Sequence, residues 1–259
     1  MDKRSITLVA LLCALALGAF RTAPVRAQSE MKEKPPLYGY VAYWNIPRAQ
    51  WGDMQKATAD DQPILQKAAS NGTLVGYGDD VNLVHTPDSQ THDSWWQSNS
   101  MAGLLNVLDQ FYKSSTITAP VLANATKHWD QILVSHCYNW HAGSWKDIYT
   151  HGASYKLKPD APPDALESLC KNVYAPFFDK LLADGTIYEY ELDVETIHTE
   201  SPGTFYIFYL VPNAEALDKV NAALRDGIKS NPFLLPAFDK WVDTTPHRDF
   251  LTRTNATYK

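Results

Sequence analysis

This chain of 259 residues is short of several things. It has three cysteines, 12 glycines and no lysine- or arginine-dominated segment; its net charge is −6. So few cysteines exclude a disulfide-dense mini-protein. The acidic balance argues against nucleic acid and anionic membrane as partners. Gly72, Gly76 and Gly78 are not followed by a helix, so no phosphate-binding glycine loop is recognisable. There is no Gly-x-Ser-x-Gly elbow and no His-Glu-x-x-His zinc motif. With 45% hydrophobic and 20% charged residues, the composition is that of a globular protein with one large or two small domains.

One long apolar run is present, Ile6 to Phe20, preceded by Lys3 and Arg4 and followed by Val25-Arg26-Ala27. It is shorter than the roughly 20 residues of a membrane span and reads as a secretory signal, residues 1–27, cleaved before Gln28. Residues 28–36 then form a linker. Removing residues 1–27, with four cations and one anion, leaves a mature chain of −9. The expected location is secreted or periplasmic. There Cys137 and Cys170 either pair as a disulfide or remain two buried thiols.

The chain repeats itself. At a fixed offset of 113, residues 71–88 match 184–201 at seven positions, where chance gives about one. Gly72, Thr73, Tyr77, Asp80, Val81, His85 and Thr86 fall on Gly185, Thr186, Tyr190, Asp193, Val194, His198 and Thr199. Upstream, Trp51-x-Asp53 pairs with Trp145-x-Asp147 at offset 94, which implies an insertion in the second copy at about 150–163. Asn124-Ala-Thr126 and Asn255-Ala-Thr257 close the copies, giving repeats at 37–127 and 130–259.

Each copy reads strand, helix, strand, strand, helix, strand. The first strands are expected at Tyr38–Asn45 and Ile132–Trp140, the second at Leu74–His85 and Ile187–His198. The third lie at His92–Ser98, which is polar, and Phe205–Val211. Short last strands are expected near Thr118–Ala123 and His247–Thr254. The Trp-x-Asp motifs open the first helices, Pro63 interrupts one of them, and Asn71-Gly72 and Asp184-Gly185 end them.

That order, doubled, resembles the dimeric α+β barrel superfamily in fused form: an α+β fold of tandem ferredoxin-like repeats making a pseudo-dimeric barrel. The polar third strand of copy one is a departure that would leave that half irregular or open. The resemblance implies a menu of cofactor-free monooxygenases, haem-binding and haem-degrading enzymes, small isomerases and non-enzymatic ligand binders. It carries no catalytic residue over to this chain.

Side chains alternate across a strand, so Glu189, Glu191, Asp193 and Glu195 share one face, matched in copy one by Gly76, Gly78, Asp80 and Asn82. This row either lines a polar cavity holding a general base or a basic ligand, or is a solvated strand face. Asp80, Asp193 and His136 are the catalytic candidates, against structural roles for each. Glu189, Glu191, His85, His198, Tyr43 and Trp44 are the ligand-binding candidates. The aromatic set that includes Tyr40, Trp95, Trp96 and Trp140 would stack on a flat ligand such as haem, or simply form core. His136 and His141 have no recognisable metal-ligand spacing, and no metal is expected. The expected function is a secreted barrel that binds a small organic molecule in its cavity, as a cofactor-free or haem-type oxygenase or isomerase. The alternatives are a non-catalytic periplasmic binding or stress protein and a carbohydrate-associated surface protein. Assembly as monomer or homodimer is left open.

Overall fold

Period-two runs of aromatic and β-branched residues become eight strands in a computed structural model that describes residues 34–86, 89–230 and 234–259. They are β1 (Tyr38–Asn45), β2 (Gly76–Asn82), β3 (His92–Ser98), β4 (Lys127–Trp140), β5 (Gly143–Leu157), β6 (Glu189–Glu195), β7 (Thr204–Val211) and β8 (Val242–Tyr258). Every neighbouring pair is antiparallel, and the barrel closes in the order β1-β3-β2-β8-β5-β7-β6-β4. This ring is two copies of one arrangement, β4-β1-β3-β2 and β8-β5-β7-β6, joined by the β2–β8 and β4–β6 ladders. The tandem ferredoxin-like architecture therefore holds, and a single chain supplies both halves.

Helices cover the outside. They are α1 (Trp51–Ser70), α2 (Met101–Lys113), α3 (Pro120–Ala123), α4 (Ala165–Leu169), α5 (Ala175–Ala183), α6 (Ala214–Ser230) and α7 (Leu234–Trp241). A π-helical turn, Cys170–Tyr174, links α4 to α5. Both first-helix ends are built alike. Gly72 and Gly185 take φ of 80° and 75°, and Asn71 and Asp184 each accept a hydrogen bond from the backbone N–H two residues on. The outward strand faces pack under the helices as two cores. Tyr40, Leu65, Leu74, Trp96, Leu104 and Val107 anchor the first; Leu169, Phe178, Ile187, Leu192, Phe205 and Val220 anchor the second.

Several boundaries differ from the sequence expectation. Ile132–Trp140 lies in β4, which pairs with β1 and so closes the first half rather than opening the second. The supposed insertion at 150–163 falls mostly in β5, the true first strand of the second half. Trp145 and Asp147 sit in that strand, so their likeness to Trp51 and Asp53, at the start of α1, is coincidental. Thr118–Ala123 is helical, not a closing strand, and Asn124–Thr126 precedes β4, whereas Asn255–Thr257 lies inside β8. Helix α1 runs unbroken through Pro63, because burial of Met54, Ala57, Leu65, Ala68 and Ala69 outweighs one lost backbone bond. Nor is the first half open, for β3 pairs along its whole length with β1. The signal segment, residues 1–27, lies outside the described residues.

Cys137 and Cys170 form a disulfide that ties β4 to the π-turn.

Candidate functional site

Residues opposite each other in a ladder share a face, and this settles the acidic row: it points into the barrel. Glu189 and Asp193 are 1% and 2% exposed. No lysine or arginine is buried with them among the described residues. Burial of unpaired carboxylates is tolerable only if they keep their protons or are heavily hydrogen-bonded, and both occur. Asp80 accepts from Thr252 Oγ1 at 2.6 Å, from Trp95 Nε1 at 2.9 Å and from Thr254 Oγ1. Asp93, directly opposite, is pushed well above the usual carboxylate range by burial and then by Asp80, and so holds the proton between them. Gln97 Nε2 donates to both oxygens of Glu191, at 3.0 and 2.7 Å. Burial, then the neighbouring carboxylates, pushes Glu189 and Glu191 well up; burial brings Asp193 up to about 7. Glu195 is structural: it accepts from Thr199 Oγ1 and the Glu200 N–H, fixing the β6–β7 turn.

Asp80, Asp93, Glu191, Asp193 and Tyr43 line one lumen cavity of about 50 Å³. The duplicated Asp80 and Asp193 thus do meet around a shared space. It suits a few waters, not the organic ligand expected there, since small-molecule sites are usually ~300 Å³ or more.

The larger space is outside the barrel, about 350 Å³ between the first-half sheet and helices α1 and α2. Its floor is two small residues paired across the ladder, Ala42 and Ser94. Aromatic stacks stand on either side: Tyr40 on Trp96 with centroids 4.4 Å apart, and Trp44 on His128 at 5.2 Å. Phe111 and Tyr112 of α2 and Asp61 of α1 complete the wall. Asp130, beside Ala42 on β4, takes the Tyr40 hydroxyl; burial and that carboxylate raise the Tyr40 pKa. His128 Nε2 lies 3.6 Å from Asp130, and its Nδ1 is 2.9 Å from the Tyr43 carbonyl oxygen.

The second half carries the same constellation. The ladders superpose exchanging Tyr40, Trp44 and Trp96 for His151, Tyr155 and Tyr209, and His128 and Asp130 for His247 and Asp249. Asp249 Oδ1 lies 3.1 Å from His247 Nε2 and 3.7 Å from His151 Nε2. His151 stacks on Tyr209 at 4.9 Å as Tyr40 does on Trp96. The floor differs: Ala153 pairs with Ile207 where Ala42 pairs with Ser94, and Phe238 of α7 meets Tyr155 edge-on at 5.5 Å. Larger side chains fill there what stays hollow in the first half.

No sequence family matches this chain, and no curated protein is similar to it in sequence. Solved structures are similar in fold. A candidate monooxygenase of Lactobacillus acidophilus NCFM, 11% identical, aligns over 87% of this chain and 97% of its own with a TM-score of 0.62. An anthrone oxidase-like protein, 12% identical, covers 87% and 94% at 0.55. A candidate chlorite dismutase, 12% identical, covers 85% and 95% at 0.51. The chain has the dimeric α+β barrel fold, with both halves in one polypeptide.

In this dimeric α+β barrel the residues singled out from sequence do not form one site. Asp80, Asp193, Glu189, Glu191 and Tyr43 face the lumen. His136 and His198 line a separate second-half pocket of about 220 Å³, where His136 Nδ1 is 3.2 Å from Glu167. His85 is exposed and lies against Trp51, 5.5 Å between centroids. Trp44 reaches the first-half pocket, together with Tyr40 and Trp96 of the aromatic set. Asp130, His128, Asp61 and Ser94 were missed. The signal was the repeat of His-x-Asp at 128–130 and 247–249, an offset of 119 that a search locked to 113 passes over. Haem does not fit the first-half pocket of this barrel: His128 is its one lining imidazole, and both ring nitrogens face other partners.

Proposed function

We propose that the chain binds a small planar organic molecule between its first-half sheet and helices α1 and α2, and acts on it as an oxygenase-type enzyme. The observation that carries this reading is the hollow over Ala42 and Ser94, walled by two aromatic stacks and edged by Asp130. A carboxylate between a phenol and an imidazole is suited to general-base work. Asp130 would take a proton from an O–H or acidic C–H of the bound ring, and His128 and Tyr40 would orient it. As the proton moves, the negative charge passes from Asp130 to the ring and the pocket's net charge is unchanged; the electron-rich ring then reacts with dioxygen, the chemistry that the names of the monooxygenase and anthrone oxidase-like neighbours suggest. The aromatic walls would exclude water from that anion.

We place the protein outside the cytoplasm. Residues 1–27 have the pattern of a secretory signal, and the Cys137–Cys170 disulfide is at home in an oxidising compartment.

The test is oxygen uptake, followed with an electrode and by absorbance, on anthrone and a set of hydroxyarenes. Protein-dependent uptake that falls at least ~100-fold in Asp130→Asn is expected for a general base. Uptake equal in the variant refutes the role of Asp130. Tight binding of these compounds without uptake makes the chain a binder instead.

A further inference from the structure

The pocket is also selective in charge. Two carboxylates reach it, from opposite sides: Asp130 from β4 and Asp61 from α1. No lysine or arginine is among its lining residues. Thr116 hydrogen-bonds to the Asp61 carboxylate, yet its Oδ1 is buried with no partner at all. That oxygen is sealed from solvent, so the part of Asp61 that a ligand meets is the rest of its carboxylate at the pocket wall. Trp44, Trp96 and Tyr112 are also among the lining residues and give a planar ring apolar surface to pack on. The two carboxylates, with no lysine or arginine beside them in the lining, favour positive charge or an X–H donor, while Thr58, Gln62, Ser94 and Thr116 can donate or accept.

We propose that the ligand is a planar aromatic molecule, neutral or cationic, carrying N–H or O–H donors toward Asp61 and Asp130, and that the pocket rejects aromatic anions. This rests on the reading of the pocket as the binding site and adds the chemical class of what it takes. An aromatic carboxylate would set its negative charge against Asp61 or Asp130 with no lysine or arginine to answer it, whereas an arylamine or hydroxyarene would bring a donor to these carboxylates.

The experiment compares three probes with one ring system: 1-naphthylmethylamine, 2-naphthol and 2-naphthoate. Dissociation constants are measured by titration calorimetry at pH 7.5, in low and in 0.5 M salt, on the mature chain. The amine is expected to bind at least ~10-fold tighter than the naphthoate, with the naphthol between them. The preference should persist in high salt, because it arises from groups in contact with the ligand rather than from the overall negative charge. Asp61→Asn and Asp130→Asn should each narrow the ratio several-fold, and Asp130→Asn alone suffices where the other compromises folding. Equal affinity for amine and naphthoate overturns the charge selection and leaves the pocket as the binding site. Failure of all three probes to bind overturns both.

Discussion

Asp193 gives the most searching test of the lumen. Its carboxyl is 2% exposed, and burial lifts its pKa from 3.8 to about 7. The folded chain thus holds a proton that the unfolded chain releases above pH ~4. Between these two values the native state binds more protons than the unfolded state, so stability falls as pH rises through that window, and the part due to Asp193 levels off above pH ~7. A shift of about three units corresponds to about 4 kcal/mol lost across it, a sizeable part of the 5–15 kcal/mol typical of a domain. Asp193 alone should lower the melting temperature by roughly 10 °C between pH 4.5 and pH 8, so the whole drop is at least that large. Glu189, Glu191 and Asp93 are pushed well above the usual range, so they too hold protons that the unfolded chain releases, and they steepen the fall in the same direction. Asp193→Asn, which keeps shape and removes the titration, should match the parent near pH 4.5, exceed it at pH 8 and flatten the profile by about one proton. Thermal or urea unfolding followed by circular dichroism from pH 4.5 to 8 reads this directly. A melting temperature that rises toward pH 8, or a variant with the parent's slope, would show that Asp193 is ionised in the fold and that the account of the lumen is wrong.

Ser94→Ile should give the first half the floor of the second; it is expected to weaken binding of any planar ligand at least ~10-fold while changing stability by less than ~1.5 kcal/mol, as calorimetric titration and urea midpoints would report. Cys137→Ser removes a cross-link between residues 33 apart and should cost about 3–4 kcal/mol, seen as a lower urea midpoint that reducing agent no longer shifts.

What the sequence determined by itself was local and periodic. Strand alternation put Glu189, Glu191, Asp193 and Glu195 on one face, and the offset of 113 paired β2 with β6, β3 with β7 and α2 with α6, because the same elements recur there at the same spacing. The glycine-capped ends of the first helices were readable for the same reason: a left-handed residue after an Asn or Asp is a requirement of a few neighbouring atoms. Ownership of β4 was not readable. Ile132–Trp140 looks like any apolar strand, and only its pairing with β1, roughly 90 residues away, makes it the closing strand of the first half. Whether the acidic row met water or a sealed lumen was equally undecidable, since alternation says which residues share a face but not which face closes. The ligand pocket was the least legible of all. It exists because Ala42 and Ser94, small residues on two different strands, come to lie side by side under α1 and α2, while their counterparts Ala153 and Ile207 do not leave a hollow. A cavity is the difference between neighbouring side-chain volumes, and neighbours across a closed sheet are chosen by tertiary pairing, not by position along the chain.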